Sequence, residues 1–112
     1  MTIEVHLHTL NSGLAPKPLT LFSTPGPEGP TWVEVQIPWE VAGRDVSEPY
    51  LSADLQRVAE VDGTVLNDAL GLIFARQGDV ILVTVSAGSG NERFHLHPAD
   101  LLAGLDQLRA EV

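Results

Sequence analysis

Cysteine is absent from this chain of 112 residues, so disulfide bridges, thiolate nucleophiles and cysteine metal ligands are excluded. Positive charge is scarce: six Lys and Arg residues stand against fifteen Asp and Glu, which gives a formal net charge of -9. Lys17 is the only lysine. Because clustered cations are needed to bind a phosphate backbone, we expect no nucleic-acid binding. The acidic residues are scattered along the chain, a pattern typical of a solvated surface.

Long apolar runs are also missing. No stretch approaches the roughly 18 to 20 apolar residues of a membrane span, and the N-terminal residues include neither a basic nor an apolar signal region. We therefore expect no membrane association and a cytoplasmic location. With 44% hydrophobic residues the chain can build one core, so residues 1–112 are predicted to form a single domain.

The stretch 79–97 has the clearest pattern, and the rest of the chain is interpreted around it. Residues 80–85 form an unbroken aliphatic and β-branched run, which is typical of a strand buried on both faces. The second half of the stretch alternates, so that Phe94 and Leu96 fall on one face of a strand. Residues 86–91 between them have the composition of a turn. The whole stretch is therefore predicted to be a β-hairpin.

Further strands are predicted on both sides of two proline-rich segments, 14–18 and 24–30. Residues 2–10 and 31–37 alternate apolar with polar side chains, which indicates strands with one face on the core. A short edge strand is predicted at 19–22. The segment 24–30, which contains three prolines and two glycines, is predicted to be a surface loop, and 43–49 a connection.

Two helices are predicted from their start signals and apolar stripes. The first has Ser52 as its N-cap and continues to about Val61. The second has Pro98 at its first helical position and Asp100 in its first turn. Its apolar face consists of four residues, Leu101, Leu105, Leu108 and Val112.

Residues 64–77 fit two structures. Their apolar side chains repeat at i, i+1, i+4, i+5, i+8 and i+9, which favours a helix that would end at Gly78. Gly71 argues against a helix, and in the alternative 71–75 is a strand paired with 80–85. We predict the helix. The predicted fold is then α+β: an antiparallel or mixed sheet of four or five strands with two or three helices, the C-terminal helix packed on one sheet face.

All four histidines occur in two copies of His-Leu-His. In each copy the leucine faces the core, so the two histidines share the opposite face with Cα atoms about 6.6 Å apart. If the two strands are neighbours, the imidazoles form one patch that Glu4 would join, and zinc or another divalent metal could be bound there. In the alternative they are simply polar residues on a solvated sheet face. The candidate metal ligands are His6, His8, His95 and His97.

A second group of residues is a candidate for partner binding. Trp32 is on the polar side of its strand, and an exposed tryptophan often anchors an interface. In the alternative interpretation, the Trp32 side chain is covered by the loop 24–30. The polar faces of the strands therefore suggest a binding set of Trp32, Glu34, Gln36 and Arg93.

No nucleophile elbow is found, and the glycine-rich residues 87–90 lead into a strand and lack a lysine, which argues against a phosphate cradle. The function predicted is a small acidic, non-catalytic protein-interaction module, such as an accessory subunit, a chaperone-like adaptor or an inhibitor. A homodimer is expected, because 80–85 would need cover on both faces. The alternative is a metal-binding protein or metal-dependent enzyme that uses the two His-x-His motifs.

Overall fold

The computed structural model describes residues 2–9, 17–23, 32–38, 45–67, 71–87 and 90–110. Within them, eight strands form one antiparallel sheet in the order β4-β3-β2-β1-β8-β7-β6-β5. The strands are β1 (Thr2–Thr9), β2 (Lys17–Phe22), β3 (Trp32–Ile37), β4 (Val46–Leu51), β5 (Val65–Asn67), β6 (Leu72–Gln77), β7 (Val80–Ala87) and β8 (Gly90–Leu96). The helices are α1 (Ser52–Glu60) and α2 (Pro98–Ala110).

The core lies on one face of this sheet, called here the inner face. Because side chains alternate along a strand, every second residue of the long strands points inward and is buried. On the central strands these inward residues are Val5, Leu7, Ile81, Val83, Val85, Phe94 and Leu96. The opposite face, called here the outer face, carries the polar residues of the same strands, including His6, His8 and His95, and His97 directly follows β8.

The sheet curls around its core. Tyr50 is on β4, at one edge of the strand order, and Phe74 is on β6, six strands further along. In a flat sheet with strands about 4.8 Å apart, they would be separated by roughly 29 Å. Their ring centroids are 5.3 Å apart, and the Tyr50 hydroxyl donates to the Leu72 carbonyl at 3.3 Å. The two ends of the sheet therefore approach each other across the core, as in a half-barrel.

The two helices close the inner face. Helix α1 buries Leu55, Val58 and Ala59, and α2 buries Leu101, Leu105 and Leu108, all within one core cluster. Helix α2 approaches β1 and β2 closely at Gly104. A Cβ there would lie 3.0 Å from Val5 Cγ1 and 3.1 Å from Leu21 Cδ1, so a larger residue would push the helix away. This matches the prediction that the C-terminal helix packs on one sheet face.

The predicted α+β fold class is wrong: the described part of the chain is mostly β, with eight strands in place of four or five. The largest error is the helix at 64–77, which is instead the hairpin of β5 and β6. Strand β6 pairs with β7 along its whole length, from Leu72 opposite Val85 to Gln77 opposite Val80. Gly71, with φ of +92°, adopts a left-handed conformation that a continuous helix cannot contain.

Strand β4 was not predicted. Most of its residues fall in 43–49, which the sequence predicts to be a connection. The strand contains Pro49, which has no N–H to donate, but a proline is tolerated at a sheet edge. The predicted edge strand at 19–22 is β2, an interior strand between β1 and β3. Ser52 is the first residue of α1 and not its N-cap, which is Leu51 without a side-chain cap.

The prediction that 80–85 is buried on both faces is met on one face within the single chain. Inward residues of β7 are buried, whereas Val80, Leu82 and Thr84 are only half-buried on the outer face. The predicted strands at 2–10 and 31–37, the hairpin of β7 and β8, and the two helices are confirmed with small changes at their ends. The predicted loop at 24–30 and Val112 lie outside the described residues.

Neither α1 nor α2 is long and apolar enough to cross a membrane, and this holds for the described residues only.

Candidate functional site on the outer face of the sheet

The two His-Leu-His motifs lie on neighbouring strands. Strand β1 pairs antiparallel with β8, with Leu7 opposite Leu96 and His8 opposite His95. The leucines face inward and are fully buried. Because directly opposite residues of an antiparallel pair have Cβ atoms about 4.5 to 5.5 Å apart, His8 and His95 are close neighbours on the outer face.

Three of the four histidines, which together are called here the histidine cluster, take part in two separate contacts. The imidazole rings of His8 and His97 have centroids 4.6 Å apart and are tilted by 56°. His6 is turned toward Glu4, with its Nε2 3.7 Å from Glu4 Oε1, and both side chains are largely exposed. His8 and His95 are half-buried, whereas His97 is exposed. The sheet thus brings all four predicted metal ligands onto one face of two adjacent strands.

In the described residues, no group of three or more His, Asp or Glu side chains is arranged to hold a metal ion. The histidine cluster therefore offers one close pair of imidazoles, those of His8 and His97. A third imidazole, that of His95, is on the residue directly opposite His8. A metal site at these residues stays a prediction.

An apolar row continues from the histidine cluster to the edge of the sheet. Following the register outward from His95, the outer face carries Leu82, then Ala75, then Val65. Val65 is 60% exposed, while Ala75 and Leu82 are half-buried. These three residues are called here the apolar row. Sequence reasoning missed Val65 as a surface residue because it was assigned to the buried stripe of a helix.

The predicted partner-binding residues are divided between two parts of the outer face. Trp32, Glu34 and Gln36 follow one another on β3, and Trp32 is 58% exposed opposite Leu51. The Ser47 hydroxyl donates to Glu34 Oε1 at 2.6 Å. Arg93 is exposed on β8, three strands from β3 in the sheet order.

Phe22 extends the patch around Trp32 and was not selected from the sequence. It is 38% exposed and lies directly opposite Glu34. The signal was present in the sequence, since Phe22 is out of phase with the buried Leu19 and Leu21 on the same strand. Trp32, Phe22 and half-buried Leu51 are called here the tryptophan patch.

An open cleft of 620 Å³ lies beside the two helices and is lined by Arg57, Glu60 and Arg109 among other residues. The Arg109 guanidinium donates to Gln56 Oε1 and lies 3.5 Å from Asp106 Oδ1. Both signs of charge are therefore present in and beside the cleft. This mixture favours neither an anion nor a cation as ligand.

No family model and no curated protein matches the chain. Similar solved structures include one that is described by the words "Mutations in SsgB correlate to longitudinal cell division during sporulation of Streptomyces coelicolor". The similarity covers 99% of this chain and 85% of that chain, with a TM-score of 0.62 and 15% sequence identity. At this identity, the similarity is evidence for a shared fold.

Proposed function

We propose that this chain is a small, non-catalytic protein-interaction module that binds its partner through the outer face of the sheet. The observation that carries the proposal is the position of its exposed large apolar residues. Of the four exposed large apolar residues in the described part of the chain, Phe22, Trp32 and Val65 are on the outer face and Val61 directly follows α1, whereas α1 and α2 pack on the inner face. Exposed apolar side chains of this size are stabilised when a second protein removes them from water.

The two apolar areas differ in the partner that they would accept. The tryptophan patch adjoins Glu34 and Gln36, so it offers an aromatic anchor with polar groups around it, as in the centre of many protein interfaces. The apolar row is aliphatic and ends at the short edge strand β5. We assign the tryptophan patch to a different protein and the apolar row to a second copy of this chain, which gives a homodimer.

The shared fold suggests a cellular process for the protein that would bind the tryptophan patch. One similar solved structure concerns a protein whose mutations correlate with longitudinal cell division during sporulation. We therefore propose a cytoplasmic role in cell division, as an accessory subunit that contacts another protein of that process.

Site-specific photo-cross-linking tests the interaction surface directly. A photoreactive amino acid replaces Trp32 in the full chain, expressed at native level in the organism that encodes it. The matched control replaces Gln107, an exposed residue of α2, the helix that packs on the inner face. We expect one discrete adduct from position 32 and none from position 107. Equal labelling from both positions, or no adduct from position 32, would contradict the proposal.

A deletion strain tests the process separately. We expect altered placement or orientation of division septa, restored by the wild-type gene and not by Trp32→Glu. Normal division in the deletion strain would reject the role in cell division, while the cross-linking result would still decide whether the outer face binds a protein.

A further inference from the structure

We propose that His8 and His97, with His95 as a third ligand, form a binding site for a divalent transition metal, for which zinc is the probe. The proposal rests on the pairing of β1 with β8, which places these three side chains on one face of two adjacent strands. It is independent of the interaction function proposed above.

The spacing of the first two rings suits a shared ion. Zinc binds imidazole nitrogen at about 2.0 to 2.1 Å in tetrahedral geometry, which puts two ring centroids roughly 5 Å apart. The rings of His8 and His97 have centroids 4.6 Å apart, and their tilt of 56° excludes parallel stacking. Two rings at this separation can each direct one nitrogen toward a shared ion.

The third ligand is supplied by the sheet register. His95 is directly opposite His8 and two residues before His97, so its side chain leaves the same face next to both of them. In the described residues three groups do not yet converge, and His95 must therefore rotate toward the pair when the ion binds. Three imidazoles with water in the fourth position make an open site of the kind zinc accepts.

Imidazole ligands also determine which ions are bound. Neutral nitrogen donors suit zinc, copper and nickel, whereas calcium and magnesium prefer oxygen ligands. The formal net charge of -9 raises the concentration of cations near the surface in general, but it does not discriminate between them.

His6 is excluded from the site and provides a matched control. It is on the same strand and the same face as His8, but its Nε2 lies 3.7 Å from Glu4 Oε1. Replacing His6 thus removes a surface imidazole of the same type without removing a ligand.

The test is calorimetric titration of tag-free, chelator-treated protein with zinc chloride. We expect one zinc per chain with a dissociation constant in the micromolar range or below. His8→Ala and His97→Ala should each weaken binding at least tenfold, and the double variant should lose little more, because either change already breaks the site. His6→Ala should alter the affinity less than threefold. Equal losses from His6→Ala and His8→Ala, or no saturable binding by the wild-type chain, would overturn the proposal.

A second measurement does not depend on the folding of the variants. Imidazole signals of the wild-type protein are followed by NMR during the same zinc titration. The signals of His8, His95 and His97 should shift together and reach a plateau at one equivalent, while those of His6 stay nearly unchanged. Shifts spread evenly over all four histidines without a plateau would indicate weak, independent surface binding and reject the site.

Discussion

Tyr50 lies edge-on against Phe74, with ring centroids 5.3 Å apart and planes at 86°. The contact joins one edge strand of the sheet to the strand next to the opposite edge, so it reports on the curl of the whole sheet. Aromatic pairs in this geometry contribute about 0.5 to 1.5 kcal/mol beyond the area they bury.

A double-mutant cycle measures this contact. We expect Tyr50→Leu and Phe74→Leu each to lower the free energy of unfolding, and the double variant to lose less than the sum by about 0.5 to 1.5 kcal/mol. Urea denaturation of the four proteins gives the coupling. Additive losses would mean that the rings do not stabilise each other and that the curl is maintained elsewhere.

Gly71 is predicted to be intolerant of any side chain. Its φ is +92°, and an added Cβ would lie 2.6 Å from Ser86 Cβ on β7. Left-handed backbone costs a non-glycine residue of order 1 kcal/mol or more, and the steric overlap adds to this cost. Gly78→Ala is the matched control, because Gly78 also has positive φ, of +61°, but has no atom within 4 Å of its added Cβ.

The expected result is that Gly71→Ala lowers the free energy of unfolding by at least about 1 kcal/mol more than Gly78→Ala does. Chemical denaturation of both variants provides the comparison. Similar losses would show that only the backbone conformation matters and that β6 can shift away from Ser86.

Helix α2 is predicted to be essential to the core. Leu105 is 1% exposed, so Leu105→Ala should lower the free energy of unfolding by about 2 to 5 kcal/mol through lost burial and a residual cavity. Gln107→Ala, at an exposed position of the same helix, should change it by less than about 0.5 kcal/mol. If Leu105→Ala also lowered the free energy of unfolding by less than about 0.5 kcal/mol, the leucine stripe of α2 would lie on the surface.

The proposed homodimer predicts that a charge in the apolar row separates the subunits. We expect light scattering to give a dimer for the wild-type chain at tens of micromolar and a monomer for Val65→Glu, because burying an unpaired carboxylate is strongly unfavourable. Phe22→Glu is the control, since Phe22 is also an exposed apolar residue of the outer face, at 38%, but belongs to the tryptophan patch. A monomeric wild-type chain would reject the dimer, and a dimeric Val65→Glu would place the interface elsewhere.

Local patterns in the sequence were sufficient for much of this structure. Alternation in β1, β3 and β8 identifies the side chains that face the core, because neighbouring residues of a strand point in opposite directions whatever the strand pairs with. The same alternation puts both His-Leu-His motifs on the polar side of their strands. The leucine stripe after Pro98 identifies α2 in the same way.

Tertiary structure decided the features that depend on which strands meet. In β5 and β6 the apolar pairs fit a helical stripe as well as a hairpin, and pairing with β7 is what favours the strands. Residues 46–51 do not alternate apolar with polar side chains as a half-buried strand usually does, since Glu48 and Tyr50 both face inward. They form β4 because β3 provides an open edge with which they pair. The closeness of His8 to His97 likewise follows from the pairing of two strands nearly ninety residues apart in the chain, a long-range contact that no local pattern encodes.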